Sequence, residues 1–133
     1  MSRERLDGLV SWRAARALAA AVHRATAGAL FEADPELRAA LRAAATEVMT
    51  AIAEGYEQRT CGEFERRLAA AAGAAARLDS LICLAGDMGL LTRESPPRLR
   101  RRVTETAELV DALRQVVTRY QRLQAMPAPP RVN

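Results

Sequence analysis

Phe64, Leu68, Ala71, Ala75, Leu78, Ile82 and Ala85 follow one another at alternating steps of four and three. Residues so spaced fall along one line of an α-helix and form the seam by which helices pack side by side. A second such line, Leu99, Val103, Thr106, Val110, Leu113, Val117 and Tyr120, stands further along the chain. Two long seams within 133 residues need partners of the same kind, so the expected class is all-α.

Composition narrows the packing. Half of the residues are hydrophobic but only 4% are aromatic, and alanine supplies much of the difference. Helices can therefore approach closely, without a thick aromatic core between them. Alanine, leucine, glutamate and arginine, all good helix formers, dominate the chain, and its length suits one domain.

Four amphipathic segments are predicted, at about 7–29, 35–58, 61–88 and 96–124. The first aligns Leu9, Trp12, Ala15, Leu18, Val22 and Ala25. The second opens on Asp34 as N-cap with Pro35 at its first position, and aligns Leu37, Leu41, Ala44, Val48 and Ile52. Thr60 and Glu63 stand at capping-box spacing before the third, and the glycines of "GDMGLL" allow it to stop. Ser95 and Pro96 open the fourth, which carries a second apolar line of Leu109, Ala112, Val116 and Leu123. Short connections imply an antiparallel up-and-down four-helix bundle over residues 1–124. The proline-rich residues 125–133 are expected to form a disordered tail.

Metal, nucleophilic and nucleotide chemistry lack their parts. His23 is the single histidine, so the paired Glu-x-x-His ligands of metal-binding bundles cannot be assembled. There is no Ser/His/Asp trio and no glycine-rich phosphate loop. No enzyme, cofactor or metal is expected. Cys61 and Cys83 form neither a CxxC pair nor a disulfide framework; Cys83 reads as a buried small hydrophobe and Cys61 as exposed. The longest apolar run, Leu68 to Ala76, is far short of the roughly 20 residues of a membrane span, and no signal peptide is visible. Cytoplasmic localisation, with no membrane partner, is the expectation.

All 20 basic residues are arginine, and the net charge is +4. From Arg93 onward nine arginines face four acids, net +5, whereas the rest of the chain is net −1. Arg98, Arg101 and Arg102, with Arg119 and Arg122 further along, are the candidate nucleic-acid-binding residues, since guanidinium groups suit phosphate oxygens. With so few aromatics to stack bases, such binding would address the backbone and be weakly sequence-specific. The plainer alternative is a solvated face, with Glu105, Glu108 and Asp111 pairing to these arginines at helical spacing.

Glu54 sits where a helix dipole disfavours an acid, so an arginine from another helix or another subunit should hold it, unless it is simply solvated. Gly55 would let a neighbouring helix come close, and Tyr56 reads as a rim or interface aromatic. The two adjacent apolar lines of the fourth segment, together with Ala70, Gly73 and Ala74 on the third, exceed what one bundle hides. Self-association is therefore expected.

These residues carry a resemblance. Ile52, Ala53, Glu54 and Gly55, then Glu63, Phe64, Leu68, Ala71 and Gly73, then Leu78, Gly89 and Leu91, resemble the motifs of the bacterial four-helix-bundle family of 23S rRNA intervening-sequence proteins. Ile52, Glu54, Gly55, Tyr56, Phe64 and Gly73 are the candidate motif and interface residues. Ala51, Ala74 and Arg77 depart from the family's asparagine, serine and glutamate, and Met49 from a common proline. The resemblance implies the bundle fold and no enzymatic activity. Through fold relatives, the accessory proteins of diversity-generating retroelements, it implies a homopentamer that binds RNA or DNA and a protein such as a reverse transcriptase. The competing expectation is a protein-interaction scaffold without nucleic-acid binding.

Overall fold

The computed structural model describes residues 6–125, which form four α-helices and one short 3-10 helix, with no strand among them. The α-helices are α1 (Val10–Ala25), α2 (Pro35–Tyr56), α3 (Cys61–Asp87) and α4 (Ser95–Ala125); the 3-10 helix spans Ala29–Ala33. Residues 126–133, which hold nearly all of the expected tail, lie outside the described residues.

Local chemistry fixes the ends. The Asp34 carboxylate accepts the Leu37 N–H at 3.0 Å and starts α2, and the Thr60 hydroxyl accepts the Glu63 N–H at 3.2 Å and starts α3. Past Asp87, the N–H of Gly89 donates to the carbonyl of Gly86 and that of Leu90 to Ala85, each at 3.0 Å. This pattern requires a left-handed residue, and Gly89 has a φ of 72°. Ser95 is the first residue of α4 rather than its cap, and its hydroxyl lies 2.6 Å from that of Thr92.

Helix α1 ends at Ala25, short of the expected Ala29. Thr26 turns its hydroxyl back onto the Val22 carbonyl, and Arg42 of α2 donates to both the Thr26 hydroxyl and the His23 carbonyl. The chain then enters the 3-10 helix, whose Phe31 is fully buried.

One apolar core collects the inner sides of all four helices. Leu18 and Val22 of α1, Leu41, Val48 and Ile52 of α2, Leu68, Leu78 and Ile82 of α3, and Val110 of α4 are almost completely buried. Ala74, expected on an outer surface, belongs to this core; α3 packs against both α2 and α4, so its buried stripe is wider than one heptad line. Cys83 is half-buried rather than buried, and so is Cys61, whose thiol lies 3.6 Å from the Gln124 side-chain oxygen.

Ion pairs join the helices in a consistent order. Glu47 and Glu54 of α2 meet Arg77 and Arg67 of α3, while Glu65 and Asp79 of α3 meet Arg114 and Arg100 of α4. In each pair of helices the later residue of one meets the earlier residue of the other. By length and composition α3 could also cross a membrane, although no uninterrupted apolar run in it is long enough. Its apolar window is 39% buried within the fold, and α3 buries Leu68, Ala71, Ala75, Leu78 and Ile82.

Candidate nucleic-acid interface

The motif residues converge where α2 hands over to α3. Ile52 is fully buried and anchors this end in the core. Glu54 takes its partner from the next helix, with Arg67 Nη1 3.2 Å from its carboxylate. Both side chains are about half exposed, so the pair contributes little stability and chiefly orients the two helices. Tyr56 meets Phe64 edge to face, with ring centroids 6.3 Å apart.

Gly55 marks the closest approach. A Cβ built there would lie 2.9 Å from Phe64 Cδ1 and 3.1 Å from Arg67 Cβ. The ring could rotate away, but Arg67 Cβ is fixed to the α3 backbone. Alanine is the better helix former by about 1 kcal/mol, yet overpacking commonly costs 1–3 kcal/mol. Gly55→Ala is therefore expected to lower stability by about 1 kcal/mol in urea unfolding; an unchanged or raised midpoint would mean that α2 and α3 have slack. Gly73, by contrast, is exposed, with open space beside it among the described residues.

The candidate arginines divide into two groups. Arg98, Arg101 and Arg102 are exposed in the first turns of α4 and make no ion pair with a described residue. Glu105 lies beside them in a shallow hollow of about 390 Å³ without pairing to any. Their neighbour Arg100 behaves differently: it donates to both carboxylate oxygens of Asp79, at 3.0 and 3.4 Å. The hydrogen bond, and then the charge, of Asp79 push its guanidinium pKa further up.

Arg119 and Arg122 lie toward the other end of α4, in a groove of about 440 Å³ that also holds Glu65 and Asp111. Arg114 lines the same groove and takes Glu65 as its partner, which leaves Asp111 beside Arg119 and Arg122. At the start of α4, Glu105 is the one acid in the hollow with Arg98, Arg101 and Arg102.

The two groups are not one continuous strip. Arg102, Leu109, Val116 and Leu123 stand at seven-residue intervals and so share a line along α4. That line is basic at its start and apolar thereafter. Val116, Tyr120 and Leu123 are 60%, 56% and 61% exposed. The cause is length: at a rise of 1.5 Å per residue, α1 with 16 residues is about 24 Å long and α4 with 31 is about 46 Å. Ala21 and Ala25 of α1 face Leu99 near the start of α4, so the last turns of α4 extend past the beginning of α1.

Two residues outside the sequence-based candidates belong to this surface. Arg24 of α1 lines a groove with Arg98 and Arg102, and Arg42 holds the end of α1 that positions it. Only tertiary packing brings Arg24 there. His23 is exposed, and its Nδ1–H donates to the Ala19 carbonyl at 2.9 Å. Among the described residues no group of three or more His, Cys, Asp or Glu side chains could hold a metal ion.

Four helices around one alanine-rich core, with a tight α2–α3 hairpin end and exposed arginines on α4, define an all-α protein of four helices. The chain belongs to the 23S rRNA-intervening sequence protein family, whose pattern matches residues 7–112. The match includes the hairpin motif and the first arginine group, and ends before Val116. No curated protein gives a significant match.

Proposed function

We propose that the protein is a non-enzymatic homo-oligomer of antiparallel up-and-down four-helix bundles, and that assembly repeats the arginines of α4 into a surface for the phosphate backbone of structured RNA or DNA. The opposite order of ion-pair partners along α2, α3 and α4 supports the bundle topology. The observation that carries the assembly is the exposed apolar end of α4, Val116 and Leu123 with Tyr120 between them. Large side chains at helical spacing are stabilised by burial, and a second copy of the same chain supplies a matching face. A closed ring of five, the form implied by the resemblance, is the specific version of this reading.

Charge supports the second half of the proposal. A net charge of +4 per chain is repeated around the assembly, so the summed field exceeds that of one subunit. If about three phosphates are contacted per site, duplex affinity should fall roughly 40-fold between 50 and 200 mM salt. Replacing Arg98, Arg101 and Arg102 together by glutamine should abolish most of that affinity and leave the circular dichroism spectrum unchanged. Fluorescence anisotropy with a duplex RNA across salt concentrations checks both expectations. An absence of binding at low salt would favour a protein-interaction scaffold, in which the arginines serve solubility and subunit contacts.

A further inference from the structure

The groove between the end of α1 and the start of α4 has a volume of about 450 Å³ and is lined by Arg24, Arg98 and Arg102, with Thr92 and Ser95 on its rim. Its floor is apolar, made by Ala21, Ala25 and Leu99. None of the three arginines makes an ion pair with a described residue, and no acid lines the groove. Four other arginines, Arg67, Arg77, Arg100 and Arg114, each meet a carboxylate.

Three guanidinium groups brought together from two helices repel one another, and no acid stands in the first turn of α4; Glu105 shares a second hollow with Arg98 and Arg102 but pairs with neither. Arg98 and Arg102 also lie in the first turns of a 31-residue helix, whose dipole disfavours positive charge at that end. An anion in the groove reverses both penalties. The hydroxyls of Thr92 and Ser95, 2.6 Å apart, can share only one hydrogen between them, so the accepting hydroxyl keeps its own proton for an outside acceptor. Charged fork-shaped donors beside a neutral hydroxyl donor match the oxygens of a phosphate group.

We propose that this groove is a phosphate site in which Arg24, Arg98 and Arg102 grip one phosphate or phosphodiester group, with the Thr92 and Ser95 hydroxyl pair as neutral donor. The proposal rests on the nucleic-acid reading above only for which molecule carries the phosphate. It makes Arg24, on a different helix from the other candidates, a binding residue equal to Arg98.

The test uses two probes on the full chain. Inorganic pyrophosphate is titrated at low salt while the arginine side-chain Nε–H signals are followed by NMR. Duplex RNA binding is measured for the wild type, Arg24→Gln, Arg98→Gln and the Arg119→Gln/Arg122→Gln pair, with thermal unfolding confirming that each variant folds. Pyrophosphate should shift the signals of Arg24, Arg98 and Arg102 and leave those of Arg119 and Arg122 in place. Arg24→Gln should weaken duplex binding as much as Arg98→Gln does, about 3- to 10-fold, and lower the salt slope by about one. If pyrophosphate shifts the three arginines but no duplex binds, the site stands, its ligand is a free phosphate compound, and the nucleic-acid reading falls. If duplex binds with Arg24→Gln at wild-type affinity, the site is overturned while that reading survives. An Arg24 signal that pyrophosphate leaves unmoved overturns the site whatever the RNA does.

Discussion

Replacing Phe31 by alanine is expected to lower the free energy of unfolding by about 3–5 kcal/mol, the usual cost of deleting a buried aromatic side chain. Phe31 is completely buried, yet it comes from the short 3-10 helix between α1 and α2 rather than from a long amphipathic segment. Trp12 is the one other aromatic in a core otherwise built of alanine, leucine, valine and isoleucine. Small neighbours on rigid helices cannot readily collapse into the space that a phenyl ring leaves. Marginal domains have only about 5–15 kcal/mol in total, so the melting temperature should drop by roughly ten degrees or more. A shift of only a degree or two would mean that the α1–α2 connection is a loose linker and not part of the core.

The second large effect is on assembly. Val116→Glu combined with Leu123→Glu should convert the proposed oligomer to single chains at micromolar concentration without loss of helix content. Both side chains are about 60% exposed within the subunit, so a carboxylate there disturbs little of the core. Burying it at a subunit contact is costly unless it finds a partner. Losing two apolar contacts of about 1.5 kcal/mol each weakens an interface by about 3 kcal/mol, more than a hundredfold in dissociation constant. Gel filtration coupled to light scattering reads this directly, and an unchanged mass would place the subunit contact on another face, such as the outer side of α3 with Gly73, Leu84 and Met88.

Much of this was legible in the residues themselves. Leu37, Leu41, Ala44, Val48 and Ile52 are all buried, as their spacing requires, and Gly55 is the point of close helix approach. Asp34 and Thr60 cap the helices that follow them. Such features depend on a few neighbours in the chain, and a periodic pattern exposes them.

What was not legible depends on where one helix meets another. Glu54 had several conceivable partners, and only the α2–α3 hairpin selects Arg67. Ala74 joins the core because α3 is gripped from two sides, a property that no single heptad line reveals. The departures from the family motif have a related explanation: Ala51 and Ala74 sit in the core, where an apolar side chain leaves no polar group to satisfy, and Arg77 meets Glu47. Arg24 stands apart from the basic end of the sequence, and only folding sets it beside Arg98 and Arg102. Charge counted along a chain misses charge gathered across it.

Self-association through α4 is the claim on which the multiplied arginine surface rests. Sedimentation equilibrium of the wild-type chain over a hundredfold dilution tests it most directly. A mass that is a fixed multiple of 14.5 kDa, near five, is the predicted result; a mass of one subunit at every concentration would contradict it.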